Sequence, residues 1–239
     1  MHAALAEPAR LAIVDYLASS DRSPKEMGDR LGLLSNLLTH HLDVLEQVGL
    51  IVRFSSAGDG RRKYVRLVRE PLASLQISGR QPRGDLLFLC SHNSARSQLA
   101  AALWTARTGR PASSAGTHPA PRVHRGAIAA ARRAGLRLDD ATPNLVGAIP
   151  ADTQVVTVCD RAHEELDPGL GWWHWSLPDP VEAGTAAAFD DVVADLGARI
   201  ATLISNDTTN DTTNDTTNDT TNDTTNDTTQ RTTARKTRQ

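Results

Sequence analysis

Asp85-Leu86-Leu87-Phe88-Leu89-Cys90-Ser91-His92-Asn93-Ser94-Ala95-Arg96-Ser97 is the stretch on which the rest of the chain turns. Residues 85–89 form a short apolar run, and a helical run follows over 98–108. A strand therefore delivers Cys90 to the head of a loop, and Arg96-Ser97 opens a helix. Five residues separate Cys90 from Arg96, enough for the backbone to curl with its N–H groups aimed at one centre. The helix start adds its dipole and free N–H groups. Arg96 adds a two-pronged fork suited to a tetrahedral oxyanion. The same positive field is expected to lower the Cys90 pKa and make it a thiolate nucleophile. A buried strand-end cysteine and a helix-capping arginine would show the same two residues. The context tells against that reading: strand before, helix after, Asn93 and Ser97 in place, and Asp179-Pro180 downstream.

Outward from this loop, residues 85–205 alternate short β-branched runs with helical ones, the texture of an α/β domain. Residues 79–84, Gly-Arg-Gln-Pro-Arg-Gly, read as a linker. Residues 1–78 form a separate, mostly helical unit, and 206–239 hold six Asn-Asp-Thr-Thr repeats and a basic end. The tail has no large apolar residue to repay chain ordering and is expected to be disordered.

Hydrophobic residues make up 39% of the 239 and aromatics 4%, so the cores must rest on aliphatic side chains. A net charge of -2 excludes a globally basic nucleic-acid binder, yet a basic excess gathers at Arg53, Arg61, Arg62, Lys63, Arg66 and Arg69. The two cysteines, Cys90 and Cys159, exclude a disulfide scaffold, and no Cys/His cluster has zinc spacing, so no bound metal is expected. The chain has no membrane-length apolar run and no signal-peptide pattern, and the reading is a cytoplasmic protein without a membrane partner.

In the first unit, Ser23-Pro24-Lys25-Glu26 spells a capping box with proline at the first helical position. That helix ends near Gly32. A second follows with Leu38, Leu42 and Leu45 facing inward, and ends at Gly49. Leu50-Ile51-Val52 and Tyr64-Val65-Arg66-Leu67 flank Gly58-Asp59-Gly60, which predicts a hairpin tipped with Arg61, Arg62 and Lys63.

This region resembles the arsenic-responsive (ArsR-type) winged-helix repressors over about residues 5–70. The matching pieces are Ala6-Glu7-Pro8-Ala9-Arg10, Thr39-His40-His41-Leu42 and Val48-Gly49-Leu50-Ile51. The resemblance implies binding of double-stranded DNA. Ser35, Asn36, Thr39 and His40 would face the major groove, and Arg61, Arg62 and Lys63 would contact phosphates. It also implies a homodimer, although the helix before Pro8 is nearly missing and the one after the wing is short. Where such sensors carry a cysteine pair, this chain reads Lys25-Glu26-Met27-Gly28-Asp29. Asp43 and Glu46 make part of the second helix acidic, which works against DNA.

The segment 85–204 resembles low-molecular-weight tyrosine phosphatases and the arsenate reductases built on the same fold. The resemblance implies a three-layer α/β/α domain with a four-stranded parallel sheet. Besides 90–97, it rests on Ser114-Ala115-Gly116 after the second strand, Val155-Val156-Thr157-Val158-Cys159 as the third, and His174-Trp175-Ser176-Leu177-Pro178-Asp179-Pro180. By that resemblance Cys90 is the nucleophile and Asp179 the general acid. Asn93 and Ser97 shape the loop, and Ser91, His92, Asn93, Ser94, Ala95 and Arg96 hold arsenate or phosphate.

Phosphatases of this kind carry an aromatic residue straight after the Asp-Pro, whereas here Asp179-Pro180 leads into Val181-Glu182-Ala183-Gly184. The Val-Val-Thr-Val-Cys run and the His-Trp pair favour arsenate reduction. Cys159 is the candidate resolving thiol, set against the plain alternative of a small apolar residue at a strand end. The position seven residues on, where thioredoxin-coupled reductases carry a further cysteine, is Leu166. The expectation is an arsenate reductase fused to a DNA-binding regulator. It would use an external thiol reductant: thioredoxin, a glutaredoxin-like protein or a low-molecular-weight thiol. The alternatives are a regulator whose second domain only senses oxyanion or redox state, and a phosphatase.

Overall fold

The computed structural model describes residues 1–75, 82, 84–166 and 171–204. The repeat tail and most of the 79–84 linker lie outside the described residues.

The chain opens with α1 (His2–Leu5) and α2 (Pro8–Leu17). The Glu7 side chain caps α2 by accepting from the Arg10 N–H, and Pro8 takes the first position, where no N–H is needed. α3 (Pro24–Leu31) carries the expected capping box. The Ser23 hydroxyl accepts from the Glu26 N–H at 3.3 Å, and the Glu26 carboxylate accepts from the Ser23 N–H at 2.7 Å. α4 (Ser35–Gln47) buries Leu38, Leu42 and Leu45. β1 (Ile51–Ser55) and β2 (Lys63–Leu67) pair antiparallel as the wing, and a short 3-10 helix follows at Glu70–Leu75. Ile13, Val14, Leu17, Met27, Leu42, Leu45 and Ile51 meet in one aliphatic core.

The second unit runs β3 (Leu86–Cys90), α5 (Arg96–Thr108), β4 (Ser113–Gly116), α6 (Arg125–Arg133), β5 (Gln154–Thr157), α7 (Asp160–Leu166), β6 (Trp173–His174), α8 (Pro180–Ala183) and α9 (Ala186–Ile204). The strands form a four-stranded parallel sheet in the order β4-β3-β5-β6. Alternation along β3 divides its side chains between two faces. Leu86, Phe88 and Cys90 pack with Leu99 and Leu103 of α5 and Leu196 and Ile200 of α9, while Leu89 packs with Val155, and Leu87 and Leu166 join that second cluster. Both faces are covered, as a parallel sheet requires. The structure shifts two readings. Ser114-Ala115-Gly116 lies within β4 instead of after it, and β5 stops at Thr157, which leaves Cys159 past the strand end just before α7.

The two units are joined by a polar seam. The Asp21 N–H donates to the His174 carbonyl at 2.7 Å, and the His174 N–H donates to the Ser20 hydroxyl at 2.6 Å. Trp175 Nε1 donates to the Ser19 carbonyl at 3.0 Å, and the Ser176 N–H donates to the Asp21 carboxylate at 2.9 Å. Arg66 and Arg199 flank that carboxylate at 3.1 and 3.3 Å. Burial pushes the Asp21 pKa up, but the two guanidiniums outweigh burial and hold it below the ordinary carboxylate range. Arg66, one of the residues of the basic excess, thus serves the seam. Arg53 likewise pairs with Asp43 and Glu46, which offsets the acidity of α4.

Candidate active site

The loop after β3 is shaped by where its carbonyls point. The Cys90, Ser91, His92 and Ser94 carbonyls accept from the N–H groups of Thr117, His118, Ala120 and His124. Tied outward in this way, the loop leaves its own N–H groups free to turn inward. Asn93 sits at φ +47°, a left-handed conformation that asparagine tolerates better than most residues. Its amide is fully engaged. Nδ2 donates to the hydroxyls of Ser97 (2.8 Å) and Ser114 (3.0 Å), and Oδ1 accepts from Gln98 Nε2 (3.1 Å) and the Asn144 N–H (2.8 Å). Gly116 permits this closeness, since a Cβ there would lie 2.6 Å from the Ser91 carbonyl oxygen and 2.9 Å from the Asn93 nitrogen.

Cys90 Sγ is buried and faces two hydrogen-bond donors. The Asn93 N–H donates to it at 3.2 Å, and the Ser97 hydroxyl lies at 3.0 Å. Because Ser97 Oγ already accepts from Asn93, its own hydrogen is free for the sulfur. Even so, burial raises the Cys90 pKa above the ordinary thiol value and outweighs the lowering by Arg96 and Ser97. Nearby Cys159 adds to the rise. This corrects the expectation of a depressed pKa, which weighed the positive field but not the loss of water around a cysteine that is 2% exposed.

Arg96 is held by the far side of the pocket. It donates to the Leu177 carbonyl at 2.9 Å and to the Asp179 carboxylate at 2.5 Å. Asp179 also accepts from the Val181 N–H at 2.9 Å and so caps α8. Cys159 Sγ lies 3.3 Å from the hydroxyl of Ser91, the residue next to Cys90. The structure thus brings Ser91, His92, Arg96, Asp179 and Cys159 around one cavity of about 40 Å³. Cys90 at the end of β3, Asn93 in the loop and Ser97 in the first turn of α5 are buried and bonded to one another, next to the lining residues Ser91, His92 and Arg96. Ser94 and Ala95 complete the buried loop.

Other residues of the cavity were missed from sequence: Asp160, Arg161, Glu182 and, from the wing, Ala57 and Gly58. Asp160 carried a usable signal, being the residue after Cys159 at a helix start. Ala57-Gly58 carried none, because only the seam between the units brings the wing here. Behind Asp160 lies a buried pair of stacked histidines, His163 and His174, with ring centroids 4.1 Å apart. Burial and the neighbouring His163 lower the His174 pKa, and because the Asp160 carboxylate can only accept, His174 Nε2 faces it as the donor at 3.1 Å.

In the first unit, Ser35, Asn36, Thr39 and His40 are exposed along α4, and Arg61, Arg62 and Lys63 are exposed on the wing. Among the described residues no helix is long and apolar enough to cross a membrane.

A family model described as a helix-turn-helix domain matches residues 5–53. Among solved structures, an arsenate reductase of Archaeoglobus fulgidus is 26% identical, with 51% of this chain and 99% of that one covered at a TM-score of 0.42. A thioredoxin-dependent arsenate reductase of Corynebacterium glutamicum is also 26% identical, covering 54% and 64% at 0.43. A tyrosine phosphatase of Erwinia amylovora is 18% identical, covering 52% and 93% at 0.45. A search of curated proteins finds no match. The family model described as low molecular weight phosphotyrosine protein phosphatase matches residues 85–213, more than half of the chain, and it is to this family, joined to a helix-turn-helix domain, that the chain belongs.

Proposed function

We propose that residues 85–205 form a thiol-dependent arsenate reductase and residues 1–78 a DNA-binding regulatory unit. The observation that carries the enzymatic reading is the second thiol. Cys159 stands at the pocket wall against Ser91, where hydrolysis of a phosphoester has no use for it.

The chemistry needs two thiols. Cys90 attacks arsenic in line, while Asp179 protonates the departing oxygen, which leaves as water. The loop N–H groups and Arg96 hold the remaining oxygens. Cys159 then attacks the Cys90 sulfur. A disulfide forms, the electron pair of the sulfur–arsenic bond stays on arsenic, and arsenite departs. Two external thiol groups then return the disulfide to two thiols and leave as a disulfide themselves, a step that suits the reducing cytoplasm. The DNA reading rests on the exposed polar face of α4 and on the exposed Arg61, Arg62 and Lys63.

The test is arsenate-dependent consumption of a thiol reductant by wild type, Cys90→Ser and Cys159→Ser. Wild type should consume two thiols per arsenite released. Cys90→Ser should be inactive, and Cys159→Ser should lose on the order of 10²-fold with a protein reductant, the typical scale for a missing catalytic group. Thiol-independent hydrolysis of phosphotyrosine by wild type, with no arsenite formed, would sink the reductase in favour of the phosphatase.

A further inference from the structure

We infer that the wing of the helix-turn-helix unit is the outer wall of the oxyanion pocket and limits it to small inorganic oxyanions. The inference rests on Cys90 and Asp179 acting on a tetrahedral anion, and it deepens that reading by fixing the substrate class.

The contact is specific. The Ala57 N–H donates to Asp160 Oδ2 at 2.7 Å, one residue beyond Cys159. The Ser56 hydroxyl bonds Glu164 of α7 at 2.6 Å, and the Tyr64 hydroxyl reaches the same carboxylate at 3.3 Å. Gly58 lies so close to α7 that a Cβ would stand 2.8 Å from Glu164 Oε2 and 2.9 Å from the Arg161 nitrogen. Ala57 and Gly58 therefore line the cavity together with Ser91, His92, Arg96 and Asp179.

Geometry then restricts the substrate. In an in-line displacement the leaving oxygen points away from Cys90, toward Asp179 and the mouth. The organic group of a phosphomonoester must then pass the rest of the cavity lining, which includes Ala57, Gly58, Arg161 and Glu182. The cavity of about 40 Å³ has room for roughly three waters on the same measure, the scale of a tetrahedral anion. Among the described residues lining it there is no Phe, Tyr or Trp on which a ring could stack, and the one ring present is the imidazole of His92. A bare oxyanion projects nothing toward the wing.

Gly58→Val tests the wall, because its side chain has no space while the wing stays docked. Two quantities are compared between wild type and variant: kcat/KM for p-nitrophenyl phosphate, and the concentration of inorganic phosphate that half-protects Cys90 from alkylation. Aryl hydrolysis relative to phosphate affinity should rise about fivefold or more in the variant, and any smaller change overturns the inference. Should Gly58→Val fail to fold, Ser56→Ala, which cuts the tether to Glu164, is read against the same threshold. Neither quantity involves arsenate reduction. A protein that fails to reduce arsenate yet shows the shift would lose the reductase reading and keep the wall.

Discussion

At the residue scale, Cys90 is the proposed nucleophile. Its sulfur has a serine hydroxyl and a backbone N–H aimed at it, yet burial dominates and raises its pKa. Arg96, the charge that could lower it most, is shared with Asp179 and the Leu177 carbonyl. Only the thiolate is nucleophilic, so the alkylation rate of Cys90 should climb with pH through a midpoint above about 8.5, the free-thiol value. At pH 7 it should react more slowly than a small free thiol of ordinary pKa. Iodoacetamide kinetics across pH 6–10, in the Cys159→Ser background, measure this directly. A midpoint below the free-thiol value would mean that the loop field outweighs burial after all.

At the scale of elements, α3 depends on its cap. Ser23 and Glu26 satisfy two otherwise orphaned N–H groups at the helix start. Burial works against the Glu26 charge, but His163 and the Ser23 groups prevail and lower its pKa to about 2. His163 belongs to α7, at 3.6 Å, so this cap also touches the catalytic unit. Ser23→Ala should cost about 1 kcal/mol of stability, the usual value of an N-cap hydroxyl, measured by urea denaturation. The Glu26 charge is fully held above its unfolded pKa and lost only as pH falls toward about 2, so the loss should be the same at pH 5 and pH 7. A cost that changes between those pH values would show that the cap is not what stabilises this helix.

For the whole molecule, Asp21 is the keystone of the seam. It is buried between Arg66 of the wing and Arg199 of α9, and it accepts from the Ser176 N–H. Removing one partner of a buried ion pair leaves uncompensated charge, at a cost of about 3–5 kcal/mol. Asp21→Asn should lower the melting temperature and raise trypsin cleavage at Arg61 and Arg62. The charge on Asp21 stabilises the fold above the unfolded carboxyl pKa, and this is lost as pH falls through the still lower folded value. His174 adds acid sensitivity at milder pH. Its lowered pKa means that the folded state resists a proton which the unfolded chain accepts below about 6.5, so stability declines from there downward. Wild-type melting that is flat from pH 7 to pH 5 would contradict that account.

Local chemistry was legible in the chain itself. The capping box of α3, the inward leucines of α4, the hairpin, and the strand-loop-helix around Cys90 all follow from short-range rules of hydrogen bonding and period. The parallel sheet and the placing of Asp179 and Cys159 near the loop came by resemblance, because spacing alone cannot bring residues 90, 159 and 179 together. Two things needed the tertiary structure. The acidity of Cys90 depends on how much water is removed from its sulfur, a sum over neighbours from the whole fold. The wing at the pocket mouth depends on a seam built from Ser19, Ser20, Asp21 and Arg66 against His174, Trp175, Ser176 and Arg199. No periodicity marks their pairing, since Ser19, Ser20, Asp21, Arg66 and Arg199 look like ordinary polar surface positions until their partners, over a hundred positions away in most cases, are folded against them.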